Sequence, residues 1–410
     1  ALKYASIMAA LNNAIKNYGG MLEGFAKGDL VQSKQALERD LQAWIGSDPK
    51  RRGRYPNAVE ELKALVAESQ SHQVRDLYYE NLTGRSALLG AARQLYRLAR
   101  EQEKPDEARE PGYQDRDLIQ IRESLARIEG TFDPEVEQQV WLKLLLTYAA
   151  IPEDQHVEPF DRQLGLDGNA VDAPALKAKL DEMYAGTSLG DTQARLDWVG
   201  KSAAELEASD DPFIRLAVAL YESDMQLEEE QKDLAGRLQA ARPRYMDALL
   251  AFQQSRGRVV YPDANSTLRI SYGRVTGSRP RDGLIFSPFT TLEGILEKDT
   301  GVEPFDMPRD LLDTIREKRY GVRVDERLGS VPVNFLSTLD ATGGNSGSAI
   351  LNGRAELVGL LFDGTWESII ADWDFLEDKS RSIQVDIRYI LWVMDQLGGA
   401  GHLFREMGLS

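Results

Sequence analysis

Residues 342–362 read Thr342-Gly343-Gly344-Asn345-Ser346-Gly347-Ser348-Ala349-Ile350-Leu351-Asn352-Gly353-Arg354-Ala355-Glu356-Leu357-Val358-Gly359-Leu360-Leu361-Phe362. Two short apolar runs, Ser348 to Leu351 and Leu357 to Phe362, flank Asn352-Gly353, which is the pattern of a β-hairpin closed by a tight turn. Just before the hairpin, Ser346 stands between glycines. Glycine lets the backbone turn sharply and leaves room for a substrate carbonyl, and the amides of Gly344 and Ser346 can then point at one oxyanion. Ser346 is therefore a candidate acyl-transfer nucleophile. The same residues also make an ordinary Gly/Ser-rich loop, and the pattern alone leaves both readings open.

Gly344-x-Ser346 fits the short Gly-x-Ser pattern of the α/β-hydrolase elbow, but that elbow needs a helix after the serine and here a strand follows. The β context favours a chymotrypsin-like barrel. Outward from the hairpin the strand signals continue. Val331 to Phe335 reads as a strand, and Val259 to Pro262 and Thr267 to Val275 alternate β-branched and aromatic residues. Pro308 to Lys318 reads as a helix, and Ile383 to Leu397 as an amphipathic helix stopped by Gly398-Gly399. Residues 1–257 have a different texture. Apolar residues recur at three and four in Leu88, Leu89, Ala92, Leu95, Tyr96 and Ala99. Phe132-Asp133-Pro134 marks a helix start before Glu135 to Ala150, and a long helix is expected from Pro212 to Gly236. Gly46-Ser47-Asp48-Pro49, Pro111-Gly112 and Ile151-Pro152 separate such segments. The expected fold class is α+β: a helical domain over 1–257, then one antiparallel β-barrel lobe with a terminal helix over 258–410.

Composition narrows the function. The 410 residues hold 49 basic and 66 acidic side chains, a net charge of −17, which argues against broad binding to nucleic acid or anionic lipid. No stretch approaches the roughly 20 apolar residues of a membrane span. Cysteine is absent, so there is no disulfide and no thiolate ligand or nucleophile. His72, His156 and His402 are far apart in sequence, each is expected to be structural or solvated, and neither a metal nor an organic cofactor is called for. The acidic run Asp372, Asp374, Glu377 and Asp378 lacks calcium-loop spacing and reads as a solvated loop. The chain opens at Ala1 in an uncapped helical pattern, so an upstream part is expected to be missing.

Gly344-Asn345-Ser346-Gly347-Ser348, Leu361-Phe362-Asp363-Gly364-Thr365-Trp366-Glu367 and Val385-Asp386-Ile387-Arg388-Tyr389-Ile390-Leu391 resemble the bacterial dipeptidyl peptidases 7 and 11, serine peptidase family 46. Tyr261 to Arg269, Phe289 to Gly294, and Asn13-Ala14-Ile15-Lys16-Asn17 followed by Gly20-Met21 fit the same family, so the resemblance runs the length of the chain. It implies a chymotrypsin-type double barrel capped by a helical insertion. It also implies a homodimer, in the periplasm or at the cell surface of a Gram-negative bacterium, that cuts dipeptides from free N-termini. Triad order in such barrels is His, Asp, Ser, so this chain would keep only Ser346, with Gly344 in the oxyanion hole, and would be inactive alone.

The resemblance also assigns substrate contacts. Asp363, with an asparagine of the helical domain, would hold the peptide's α-ammonium, a group that carboxylate and amide oxygens both accept from. Asn13 matches that asparagine, and Asn17, one turn on, is the fallback. Gly364 stands at the specificity position. Members that prefer Asp or Glu before the cleaved bond carry arginine there, whereas glycine goes with aliphatic and aromatic preference. Trp366 and Phe362 read as core or pocket wall. The competing readings are a trypsin-like endopeptidase with a helical extension, and a helical interaction module on an inactive barrel.

Overall fold

The computed structural model describes residues 2–27, 29–166, 171–258, 260 and 268–409. The chain divides into two compact units, one of Ala1–Ser6 and Glu38–Val260, the other of Ile7–Leu37 and Tyr261–Ser410. This differs from the boundary expected at 257/258, because residues 7–37, though helical, group with the sheet.

The first unit is all helix. Its core gathers Trp141, Phe160, Leu82, Leu145, Phe213 and Leu220, all fully buried. Trp141 stacks on Phe213 at 5.7 Å and donates its indole N–H to the Leu82 carbonyl at 2.9 Å, which satisfies the one polar atom such a buried ring brings. The start expected at Asp133-Pro134 is present: the Asp133 carboxylate accepts from the amides of Glu135 and Val136, both at 3.1 Å, and opens helix Pro134–Tyr148. The long helix does not stop at Gly236. It runs from Pro212 to Ser255 through Gly236 and Pro243. An interior proline costs about 3 kcal/mol, and burial of Ala241, Ala248 and Phe252 on the turns around it offsets that penalty.

The second unit carries β1 (Ser278–Arg281), β2 (Leu284–Phe286), β3 (Phe289–Thr291), β4 (Pro332–Ser337), β5 (Ala349–Leu351), β6 (Leu357–Gly364) and β7 (Ser382–Asp386). β1 and β2 pair as a hairpin, and the others form an antiparallel sheet in the order β3-β4-β7-β6-β5. Among the described residues this sheet is open, with β3 and β5 at its edges, and the expected barrel does not close. Under it pack Leu292, Ile315, Val331, Val333 and Trp392.

Three expectations need correction here. The segment Ile383 to Leu397 is not one helix: β7 pairs with both β4 and β6, and only Ile387–Gln396 is helical. The polar residues Ser382, Gln384 and Asp386 face inward on β7, so its alternation is inverted and escapes a hydrophobicity pattern. Asp386 then caps the helix by accepting from the Arg388 amide at 2.9 Å. In Thr267 to Val275 the strand pattern yields only an isolated bridge between Val275 and Ser337, while Tyr261 to Thr267 and Val259 lie outside the described residues. The hairpin turn is longer than Asn352-Gly353 suggests. Five residues, 352–356, link β5 to β6, and Ala355 rather than Gly353 takes the left-handed conformation, at φ 62°. The Asn352 carboxamide oxygen holds the loop by accepting from Arg354 and Glu356 amides at 2.9 and 3.1 Å.

Candidate active site

Ser346 lies in the turn between β4 and β5, exposed, with its hydroxyl 3.4 Å from the Phe362 carbonyl oxygen. The turn is closed from within. The Asn345 amide donates to the Thr342 carbonyl at 3.1 Å, and the Thr342 amide donates to the Asn345 side-chain oxygen at 3.0 Å. Gly344 sits at φ 100° and Gly347 at φ 86°, conformations an L side chain rarely adopts, so glycine is required at both. The Gly347 amide is taken up by the Leu361 carbonyl at 2.7 Å, which fastens the turn to β6. The amides of Gly344 and Ser346 donate to no described residue. Two backbone donors, one two residues before an exposed serine and one on the serine itself, are what stabilising an oxyanion requires.

β6 brings Asp363 and Gly364 to the same place through a bulge. Leu361 pairs with Gln384 and Asp363 with Ile383, so Phe362 is an extra residue on the β6 side. Asp363 is exposed, and among the described residues its Oδ1 accepts only from the next amide, Gly364, at 2.8 Å. Beside Gly364 the space is limited on one side: a Cβ added there would lie 3.1 Å from that of Ser368. Arg381, whose carbonyl oxygen also borders Gly364, directs its guanidinium elsewhere, to the carbonyls of Gly277, Glu377, Asp378 and Ser380.

Helix α1 (Leu2–Lys27) supplies the opposite wall. A Cβ on Gly20 would lie 2.3 Å from Ile369 Cδ1, and one on Gly24 2.4 Å from Ile370 Cγ2, so the helix backbone itself seats on the 365–373 segment. The Trp366 indole donates to Glu23 at 2.9 Å, and Phe25 meets Trp373 edge to face at 5.3 Å. Asn13 and Asn17 lie on this face at helical spacing from Gly20 and Gly24. Both line a cleft of about 490 Å³ together with Ser346, Asp363, Gly364 and Phe362. Neither asparagine side chain hydrogen-bonds a described residue, and both are exposed. Among its described lining residues the charged side chains are Asp363 and Asp372, both acidic.

The residues singled out in the sequence, Ser346, Gly344, Asn13, Asp363 and Gly364, thus come together around one cleft, with Gly344 in the Ser346 turn. No histidine is among its described lining residues. His156 sits in the helical unit, 2.9 Å from Asp161, against the Tyr148 ring at 4.6 Å, and so has a structural setting. His72 and His402 are exposed on helices. Asp372 needs correction: instead of a purely solvated loop residue, it accepts a hydrogen bond from the Thr342 hydroxyl and lines the cleft. Its position within an acidic run concealed that contact. Ser368 and Ile369, which shape the wall beside Gly364, carry no sequence signal of their own.

The sequence profile described as peptidase S46 matches residues 1–409. The chain belongs to this peptidase family. It is similar over its whole length, at 43% identity, to the Asp/Glu-specific dipeptidyl-peptidase of Shewanella putrefaciens, of which it covers 58%. It is 28% identical to dipeptidyl-peptidase 7 of Phocaeicola vulgatus, covering 99% of this chain and 55% of that protein. The crystal structure of Porphyromonas endodontalis DPP11 in complex with the dipeptide Arg-Glu superposes with a TM-score of 0.77 at 27% identity, over 99% of this chain and 56% of that one. The chain therefore spans a little more than half the length of these S46 relatives. As a member of the family it is a mixed helical and antiparallel-sheet protein, and among the described residues no helix is long and apolar enough to cross a membrane.

Proposed function

We propose that the protein containing this chain is a serine dipeptidyl peptidase that removes dipeptides from free N-termini and prefers an apolar residue before the cleaved bond. The observation that carries this reading is the gathering of Ser346, Asp363 and Asn13 around one cleft. Ser346 Oγ bonds to the scissile carbonyl carbon as its proton passes to a base. The carbonyl oxygen takes the negative charge, facing the Gly344 and Ser346 amides. The C–N bond then breaks, the amine leaves with the proton, and water hydrolyses the ester. By the resemblance, the base is a histidine in the part of the relatives' length that this chain does not span. The same resemblance supports a chymotrypsin-like double barrel built around the open sheet, a helical cap, a homodimer, and a periplasmic or cell-surface location.

The amine clamp makes this an exopeptidase, because a chain continuing past the second residue has no ammonium to offer and meets the wall of α1. In the full-length enzyme, Asp363→Ala is expected to lower kcat/KM for free dipeptidyl substrates about 10- to 100-fold, the value of one charge-assisted contact. N-acetylated substrates should show no such loss. Equal rates for Asp363→Ala and wild type on free N-termini would remove Asp363 from the clamp.

The apolar preference rests on the lining. With no Lys or Arg among the described lining residues and two carboxylates present, an acidic side chain would be desolvated against like charge. A second reading, acidic specificity, is favoured by the name of the Shewanella relative at 43% identity. The ratio of kcat/KM for dipeptides ending in Leu or Phe to those ending in Asp or Glu separates the two.

A further inference from the structure

The Thr342 hydroxyl donates to the Asp372 carboxylate across 30 residues of sequence, and this contact joins two parts of the cleft that the proposed chemistry uses separately. On one side stands the turn 342–348. Its internal pair between Thr342 and Asn345 fixes where Gly344 lies, and its backbone ties to β6, Gly347 amide to Leu361 carbonyl and Leu361 amide to Ser348 carbonyl, both lie at its C-terminal end, so the contact at Thr342 is what holds the start of the turn. On the other side stands the segment 365–373, which borders Gly364 through Ser368 and seats Gly20 and Gly24 of α1 through Ile369 and Ile370. Asp372 belongs to the second segment and grips the first. A hydroxyl-to-carboxylate bond is charge-assisted and therefore stronger than a neutral one.

We propose that Asp372 is a positioning residue: through Thr342 it holds the turn so that the Gly344 and Ser346 amides meet the oxyanion. The inference rests on the peptidase reading given above. It adds a residue that touches neither the reacting carbonyl nor the Ser346 hydroxyl. Its effect is confined to the transition state, since the amides bind the charge that develops there and not the ground-state peptide. Losing the tether shifts both donors without deleting either, so the loss is smaller than the ~10²–10³-fold that follows removal of one oxyanion donor.

The test uses the full-length enzyme with Thr342→Val, Asp372→Ala and the pair combined, each checked for folding by its melting temperature. Thr342→Ser and Asp372→Asn serve as conservative counterparts that keep a donor and an acceptor. The expected result is a fall in kcat of roughly 10- to 100-fold with KM changed less than about threefold. The double variant should be no slower than the slower single, and Thr342→Ser should recover most of the rate. Affinity for a dipeptide boronate, which places an anionic oxygen in the hole, should fall in parallel with kcat, while affinity for the product dipeptide stays put. Unchanged kcat and boronate affinity in folded Thr342→Val would overturn the proposal. So would a rise in KM with kcat preserved in Asp372→Ala, because Asp372 would then be binding substrate. Ser346→Ala run alongside keeps the two readings apart: if it abolishes turnover while Thr342→Val does not affect it, only the positioning role fails. If Ser346→Ala retains turnover, the peptidase reading fails first.

Discussion

Ser346→Ala in the full-length enzyme is expected to lower kcat by on the order of 10⁴–10⁶-fold, leaving substrate binding nearly intact. The change removes one oxygen from an exposed turn where its one hydrogen bond to a described residue is the long 3.4 Å bond to the Phe362 carbonyl, so folding should not suffer. The amides of Gly344 and Ser346 remain, as do Asp363 and Asn13 of the proposed clamp, so the variant should still bind dipeptides and dipeptidyl substrates with near wild-type affinity. Titration calorimetry with a product dipeptide, beside single-turnover kinetics, checks both halves. Turnover that survives Ser346→Ala would transfer the chemistry to another group and remove the acyl-enzyme from the mechanism. Turnover lost together with binding would mean that the serine hydroxyl supports the cleft instead of attacking the peptide.

How much of this site could be read from the sequence depended on whether its parts are local. The turn around Ser346 was legible because glycines and a serine at fixed spacing are properties of seven consecutive residues. β4, β5 and β6 were legible because apolar runs declare themselves without reference to partners. β7 was not, since Ser382, Gln384 and Asp386 bury polar side chains whose partners come from elsewhere, as when the Ser382 hydroxyl donates to the Leu339 carbonyl at 2.6 Å. The continuation of the Pro212–Ser255 helix through Gly236 and Pro243 likewise depends on tertiary burial that overrides local propensity. The same division explains the site. Asn13 and Asp363 were matched by family likeness. The packing of α1 on the 365–373 segment rests on tertiary contacts: Gly20 and Gly24, whose missing side chains let Ile369 and Ile370 approach, the Trp366–Glu23 bond and the Phe25–Trp373 pair. The Thr342–Asp372 bond spans two loops and has no local signature at all.

Specificity is where one residue is expected to decide between two substrate classes. Gly364 leaves its corner of the cleft without a side chain, and the described lining offers no cation, so an apolar side chain gains roughly 1.5–3 kcal/mol by burial there. Gly364→Arg reverses both terms. Its guanidinium pairs with an incoming carboxylate in a forked geometry, and its bulk occupies the space an aliphatic side chain would use. The ratio of kcat/KM for Asp or Glu over Leu or Phe is then expected to rise by about 10²–10³. The structure adds a condition to that outcome. A Cβ at 364 would stand 3.1 Å from Ser368 Cβ, and Ser368 cannot easily retreat, because its hydroxyl donates to the Arg381 carbonyl at 3.0 Å and accepts from the Arg381 amide at 2.9 Å. The single variant should therefore lose overall rate as well as switch preference. Gly364→Arg combined with Ser368→Gly, which removes the obstructing Cβ, should keep the switch and recover part of the rate. A wild-type enzyme that already favours Asp or Glu would refute the apolar pocket directly. It would mean that a cation from outside this cleft's described lining reaches the substrate carboxylate, and Gly364→Arg would then leave the preference where it was.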